Sequence, residues 1–310
     1  MIMLETIIQQ GVNALQLGSY YSLIALGYCL VYGVLLLINF AHGDIFMVGA
    51  YIAFFSATAL MGKFGIIDAG MPGWIVLALT VPLTMLLTSG VGIFIERVAY
   101  RPLRLKGANR LYVVITALMM GIVLQYGNLS MLGASRKAFP NLVPRVMFEI
   151  GGATVTSLKL ASIVTCFLVF GLLQWIVTRT KLGMAMRAVS YDKFAVPLMG
   201  IPLDIVIVFT FFLGSSMAGL AGLLYAMNFP VLDPFMGALV GWKAFIAAVV
   251  GGIGDIRGAF IGGFLLAFLE VFVAATFSSE LRDLISFTIL LGILSWKPTG
   301  LFGKPRTTKI

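Results

Sequence analysis

Long runs of apolar residues, separated by short polar segments, make up most of this chain. Charged residues, prolines and glycines bound nine such runs, at about 15–37, 44–61, 73–95, 111–132, 158–178, 205–227, 238–253, 258–277 and 281–296. About 20 helical residues cross the roughly 30 Å hydrocarbon core of a bilayer. The runs are continuous rather than alternating, so they predict membrane-spanning helices and argue against a transmembrane β-barrel.

The number of spans depends on the glycine-rich segment 251–258, which separates the seventh run from the eighth. This segment is either a cytosolic turn or the break of a re-entrant hairpin. We therefore predict an all-α polytopic bundle of eight to ten spans. The longest polar stretches, 97–110, 133–157 and 179–204, leave no room for a soluble domain, so residues 1–310 are expected to form one membrane domain.

Composition agrees with a membrane protein, because 60% of the 310 residues are hydrophobic and only 11% are charged. The first 14 residues contain Glu5 and neither Lys nor Arg, so no cleavable signal peptide is predicted. Cys29 and Cys166 both lie within apolar runs, and the chain has one histidine. Neither a disulfide framework nor a metal site is therefore expected.

Lysine and arginine are distributed unevenly between the two sides of the predicted bundle. With residue 1 outside, 14 of the 21 basic residues fall on one side: Arg97, Arg101, Arg104, Lys106, Arg110, Arg179, Lys181, Arg187, Lys193, Arg257, Lys297, Lys304, Arg306 and Lys309. The positive-inside rule assigns that side to the cytosol, with 62–72 and 133–157 outside. The net charge of +9 then reflects topology and anionic lipid headgroups, and no nucleic-acid partner is expected.

A short polar segment interrupts the apolar pattern between the first two runs. Residues 38–44 read Ile-Asn-Phe-Ala-His-Gly-Asp. Asn39, His42 and Asp44 either hold a tight turn, with Asp44 capping the next helix, or line a water-filled path through the membrane. Glu270 lies well inside a late run and is expected to face the bundle interior, as a structural hydrogen-bond partner or as a path residue.

The inner segment 181–202 is too polar to span a membrane and too apolar for a plain linker. Its pattern predicts an amphipathic helix on the cytosolic side, closed by Gly200 and Pro202. One face holds Met184, Ala188 and Tyr191, and Arg187, Asp192 and Lys193 project elsewhere. Such a helix lies on lipid headgroups or docks into a groove of a soluble partner.

The outer loop 133–157 carries the pair Gly151-Gly152 between two short β-prone stretches, which predicts a surface hairpin. This loop is either a solvated connector or a docking surface for an extracytoplasmic partner.

Small residues recur at four-residue spacing in two late runs, with the glycines Gly214 and Gly222 in one and Gly258 and Gly262 in the other. Such ridges let helices pack closely, and the alternative role is a sliding surface used in gating.

Catalytic motifs do not occur in the sequence. No Gly-x-x-x-x-Gly-Lys-Ser/Thr phosphate loop is present, so the chain is not expected to bind or hydrolyse ATP by that route. One histidine in a turn does not supply a nucleophilic triad. Enzyme chemistry is therefore disfavoured, and no cofactor is expected on this chain.

Several ordered motifs resemble those of LivH-type permeases of branched-chain amino acid ABC importers. The matching segments cover essentially the full chain: 18–28, 38–44 with Met47 and 49–51, 96–102, Arg187-Ala188 with Asp192 and Gly200-Ile201, 243–245, 251–254 and 297–303. The Asp-Ile-Arg-Gly turn at 255–258 departs from the family, which more often has a small residue and a proline there.

The resemblance implies the ABC importer permease fold in a bacterial cytoplasmic membrane. It also implies a related permease as partner, two separate ATPase subunits that use ATP, and a periplasmic substrate-binding protein. On this reading, segment 181–202 couples the ATPases to the spans, through Met184, Arg187, Ala188, Asp192, Gly200 and Ile201. Leucine, isoleucine and valine are the preferred candidate substrates, and urea, short amides and other amino acids are the alternatives.

Two other classes of transport protein compete with this interpretation. An ion-coupled secondary transporter should carry paired intramembrane ions and broken helices in matching halves. A channel would need a ring of filter groups from several copies. The sequence favours neither.

Overall fold

The computed structural model of this chain describes residues 2–62 and 72–303. In chain order the elements are α1 Ile2–Leu35, α2 His42–Leu60, α3 Gly73–Ile95, a π-helix Glu96–Tyr100, α4 Arg101–Leu105, α5 Arg110–Leu132, β1 Lys137–Ala138, β2 Met147–Ile150, β3 Ala153–Thr156, α6 Ser157–Arg179, α7 Lys181–Tyr191, α8 Ala195–Leu198, α9 Leu203–Asn228, β4 Val231–Leu232, α10 Met236–Gly252, α11 Ile256–Thr276 and α12 Arg282–Trp296.

The prediction of an all-α polytopic bundle is confirmed, and every apolar run contains a helix. Within the described residues, seven helices are long and apolar enough to cross a membrane: α1, α2, α3 with its continuation to Leu105, α5, α6, α9 and α11. The two remaining predicted runs hold the shorter helices α10 and α12. Helices α10 and α12 have 17 and 15 residues, which at about 1.5 Å per residue is less than the roughly 30 Å hydrocarbon core.

Helix α1 starts well before the first apolar run, and its 34 residues include a polar stretch that hydropathy alone leaves out. Side chains in this stretch bond to one another, as in the contact from Gln9 to Asn13. The Gln9 side-chain oxygen also accepts the backbone N–H of Thr154 in β3. The outer loop thus provides a hydrogen-bond partner for a polar side chain in the early turns of α1.

Helix α2 lies at the centre of the bundle and packs against α3, α5, α9 and α10, while α1 packs against α9, α10 and α11. The contact between α2 and α9 depends on glycine. A Cβ atom at Gly222 would lie 2.6 Å from the carbonyl oxygen of Phe46, closer than real Cβ contacts allow. The core consequently surrounds α1, α2 and α9, while most of α3, α5 and α6 is exposed along the span.

The predicted hairpin in the outer loop is confirmed. Strands β2 and β3 pair in antiparallel register, with Met147 opposite Thr156. Gly151 and Gly152 form the turn with φ values of 59° and 82°, which favour glycine. A second short pairing joins β1 to β4, and so ties this loop to the end of α9.

The helix ends fall on two opposite faces of the bundle. On one face, Arg104 in the 97–110 segment binds Asp204 at the start of α9 through a 2.7 Å ion pair. The hairpin, the first turns of α1 and the β1–β4 pairing lie on the other face. The segments 97–110 and 179–204, both predicted to be cytosolic, therefore share one face. Most of the predicted outer segment 62–72, and the tail residues Lys304, Arg306 and Lys309, lie outside the described residues.

Segment 181–202 does not form the single helix predicted for it. It forms α7 and the four-residue α8, because Asp192 accepts hydrogen bonds from the backbone N–H groups of Phe194 and Ala195 and starts a new helix there. Gly200, with φ of 77°, ends the segment before α9. Thr180 caps the start of α7 by accepting the N–H of Gly183.

Candidate functional site

The polar segment 38–44 lies inside the bundle rather than at its surface. After α1 ends, Leu36 adopts a φ of 59° and turns the chain. The next residues return toward the bundle centre, and α2 begins at His42. The His42 ring packs against the ring of Tyr28, with 4.8 Å between centroids. Tyr28 is about two helical turns before the end of α1, so His42 lies beside the span of α1, and Asn39, His42 and Asp44 are all buried.

The interpretation of Asp44 as a helix cap is wrong. The N-cap position of α2 is Ala41, and no side chain caps it. Asp44 is the third residue of the helix, and its carboxylate accepts a 2.7 Å hydrogen bond from the side-chain amide of Gln125 near the middle of α5. The residue therefore bonds to a neighbouring span instead of to its own helix terminus.

The three polar residues of the segment do not form one cluster. The Tyr100 hydroxyl in the π-helix donates a 2.7 Å hydrogen bond to the side-chain oxygen of Asn39. His42 packs against α1, and Asp44 binds α5. Each residue contacts a different element, so the segment joins three helices around the start of α2.

A cavity of about 310 Å³ opens beside Asp44. Its walls come from α1, the segment before α2, α2 itself, α5 and α10. The lining residues are Tyr28, Phe40, Gly43, Asp44, Leu118, Met119, Ile122, Gln125, Gly237, Ala238, Gly241 and Trp242. The cavity is mainly apolar, and Asp44 is its one charged group among the described lining residues.

Glu270 faces the bundle interior, as predicted, and has no exposed surface. Its carboxylate lies 3.1 Å from the ammonium group of Lys243 in α10 and accepts a 3.0 Å hydrogen bond from the Tyr21 hydroxyl. Lys243 also lies 2.7 Å from Asp283, and Arg282 lies 3.8 Å from Glu270. Four charged side chains thus balance one another between α10, α11 and α12.

The sequence analysis missed Lys243, although its signal was available. Lys243 is the only charged residue within the apolar run 238–253, and a lone charge in such a run calls for a partner. It also missed Glu96, which is buried and binds Arg104 at 3.0 Å. Arg104 in turn binds Asp204, so this second network ties the end of α3 to the start of α9.

The segment proposed to couple to partner subunits exposes large apolar side chains. We define the coupling surface as Met184, Tyr191, Phe194, Leu198 and Met199, all of which are exposed. Phe194 has 90% of its surface accessible. The opposite face of α7 is buried through Gly183, Met186 and Val189.

The remaining predicted coupling residues lie around this surface. Ala188 is half-buried, and Asp192 accepts the backbone N–H of Phe194 between α7 and α8. Arg187 turns back to the carbonyl oxygen of Val177 in α6. Gly200 and Ile201 form the turn into α9.

The predicted packing glycines face different neighbours. Gly214 faces α1 and Gly222 faces α2, whereas Gly258 and Gly262 both face α10. The spacing in α9 therefore does not mark one continuous ridge. Gly219, which the spacing did not select, packs against Thr88 of α3.

Spanning helices that bury several charged side chains, with an apolar surface exposed at one end, are typical of a polytopic membrane transport subunit. A sequence model described as branched-chain amino acid transport system, permease component, matches residues 11–294, and this chain belongs to that family. The LivH-type resemblance is thereby confirmed.

Curated relatives cover nearly the full chain. The high-affinity branched-chain amino acid transport system permease protein BraD of Pseudomonas aeruginosa is 40% identical over 98% of both chains. The LivH protein of Escherichia coli K12, which carries the same description, is 39% identical over 98% of this chain and 97% of its own. A probable LivH of Methanocaldococcus jannaschii is 27% identical over 96% of this chain and 93% of its own. No solved structure matches.

Proposed function

We propose that this chain is the permease subunit of an ATP-driven importer that moves leucine, isoleucine and valine across a bacterial cytoplasmic membrane by alternating access. The supporting observation is the 40% and 39% identity, over 98% of the chain, to permeases named for high-affinity branched-chain amino acid transport. The family match over residues 11–294 supports the same assignment.

The proposed importer draws its energy from other chains. The printed sequence contains no phosphate loop, so ATP is assigned to two separate ATPase subunits and no cofactor to this chain. A second, related permease and an extracytoplasmic substrate-binding protein complete the assembly. In this arrangement the substrate-binding protein sets most of the selectivity, and the permease provides the path.

The ATPase subunits are proposed to dock on the coupling surface. Its five apolar side chains lie together at one end of the bundle, and exposed apolar patches of this kind mark protein contacts. This end also holds Arg104 and Lys181, in segments rich in basic residues, so the positive-inside rule makes it cytosolic. Closure of the ATPases would then act on α6 and α9, which flank the segment.

The path is assigned to the interior around α2. Asn39, His42 and Asp44 are buried within the bundle, and the cavity beside Asp44 provides space there. Glu270 is assigned to the wall behind α10, held by Lys243.

Uptake by purified components tests this function. We expect the complete assembly in proteoliposomes to import radiolabelled leucine only with ATP and the liganded binding protein. The chain alone should show neither ATPase activity nor concentrative uptake. Import of urea or short amides in place of all three branched-chain amino acids would overturn the substrate assignment.

Ion-coupled secondary transport is the alternative that one observation favours. The Lys243–Glu270 pair supplies the intramembrane charges that such a mechanism uses. Uphill leucine uptake by this chain alone, driven by a proton or sodium gradient, would support that alternative against the importer.

A further inference from the structure

The cavity beside Asp44 combines a single carboxylate with apolar walls. One oxygen of Asp44 accepts the amide N–H of Gln125 at 2.7 Å. Gly121 lets the other oxygen approach α5 closely, because a Cβ atom at that position would lie 2.5 Å from Oδ2. Gly237 has the same effect on the far side, where a Cβ atom would lie 2.9 Å from Oδ1.

Asp44 has no counter-ion among the described residues. The carboxylates at Glu270, Glu96, Asp204, Asp233 and Asp283 each lie within 4.0 Å of a basic side chain, whereas Asp44 has no such ion pair. An ionised group at membrane depth is costly without a partner of opposite charge. The charge of Asp44 therefore favours a cation supplied from outside the chain.

The walls of the cavity suit an organic cation with a branched apolar tail. On one side lie the rings of Tyr28, Phe40 and Trp242, whose faces attract cations. On the other side, α5 contributes aliphatic side chains, including Leu118 and Ile122. Cavities of about 150 Å³ hold a benzene molecule, so the volume of about 310 Å³ accommodates an amino acid with a branched side chain.

We propose that this cavity is a transit site for an aliphatic α-amino acid, in which Asp44 binds the substrate ammonium group and α5 contacts the side chain. The inference rests on the proposed function for the identity of the substrate. No Lys, Arg or His lines the described part of the cavity. The site therefore distinguishes the two charges of the substrate and binds the ammonium end, leaving the carboxylate toward the opening.

Direct binding to the full-length chain, co-expressed with its transport subunits, tests this site without requiring transport. Replacing Trp74, Trp175 and Trp296 by phenylalanine leaves Trp242 as the chain's own reporter, and its fluorescence is followed during titration. The probes are leucine, isopentylamine, which is leucine without its carboxylate, and 4-methylpentanoate, which is leucine without its ammonium group. We expect leucine and isopentylamine to change the Trp242 signal and 4-methylpentanoate to leave it unchanged.

Substitutions test whether the fluorescence response arises from ligand bound beside Asp44. Asp44→Asn should raise the half-saturating isopentylamine concentration about tenfold or more, the cost of losing a charge-assisted hydrogen bond. Asp233→Asn, a surface carboxylate, should leave it unchanged. A second pair of variants keeps the charge at Asp44. Ile122→Phe fills the cavity and should weaken the binding of leucine and isopentylamine. Val123→Phe, at the next position of α5, should leave their binding unchanged.

Three outcomes would overturn the site. These are equal responses to 4-methylpentanoate and isopentylamine, unchanged amine binding in Asp44→Asn, or a response to sodium ions with none to either amine-bearing ligand. Failure of leucine import by the complete assembly would refute the proposed function separately, since the binding experiment does not depend on ATP or the binding protein.

Discussion

Replacing Lys243 alone by methionine should destabilise the bundle far more than replacing Lys243 and Glu270 together. The single variant leaves two carboxylates, Glu270 and Asp283, with only Arg282 to balance them. The double variant Lys243→Met with Glu270→Gln leaves the 3.3 Å pair of Arg282 and Asp283 intact, with no net charge. Glutamine at 270 also retains an oxygen for the Tyr21 hydroxyl.

The distances set the size of the effect. At 3.1 Å, with Glu270 fully buried and the Lys243 side chain 9% exposed, an effective dielectric constant of about 20 gives an attraction of about 5 kcal/mol. Desolvation of each ion costs several kcal/mol and offsets most of this attraction. Losing one partner should therefore cost about 3–5 kcal/mol, and losing both should stay within about 1 kcal/mol of the unmodified chain.

Reversible unfolding of the purified chain in mixed micelles, with increasing SDS and far-UV circular dichroism as readout, measures the free energy of unfolding. The two single variants and the double variant form a thermodynamic cycle. The exposed pair of Arg136 and Asp233, at 3.3 Å, is the matched control, and its coupling energy should be below about 1 kcal/mol. Additive losses at 243 and 270 would refute the reasoning, because they would mean that the two charges do not interact in the folded bundle.

Three further predictions address packing, topology and docking. Gly222→Ala should lower the amount of folded chain in the SDS titration, because its Cβ would meet the Phe46 carbonyl oxygen. Gly171→Ala should leave that amount unchanged, because no described atom lies within 4 Å of its Cβ. A cysteine at Ala188, in a chain without other cysteines, should resist impermeant thiol reagents in intact cells and react in inverted vesicles; labelling from outside would reverse the proposed orientation. Phe194→Glu should prevent co-purification of the ATPase subunits at unchanged membrane abundance, and unaltered recovery of those subunits would exclude the coupling surface as their docking site.

The outer hairpin and the membrane spans were predictable because their signals are local. Gly151 and Gly152 specify a turn through their own backbone freedom. Hydropathy reports whether a segment is apolar enough for lipid, and each of the nine apolar runs contains a helix. The same measure did not set their lengths, as α10 and α12 have only 17 and 15 residues and α1 extends through polar residues.

The division of segment 181–202 shows how one side chain overrides a regular pattern. Periodicity predicted one amphipathic helix, but Asp192 offers its carboxylate to two backbone N–H groups and begins a second helix. Short polar side chains compete with helix continuation in this way. Of the three residues predicted to share one face of this segment, Met184 and Tyr191 are exposed and Ala188 is half-buried.

The sequence by itself determined that this is a helical membrane protein of the branched-chain amino acid permease family, because composition and ordered motifs need no knowledge of contacts. Only the tertiary structure decided which polar groups meet. Asp44 bonds to Gln125 across 81 positions of the chain, and Lys243 reaches Glu270 only because α10 and α11 pack side by side. Charge pairing depends on distances of a few ångströms between helices, and those distances follow from packing rather than from spacing along the chain.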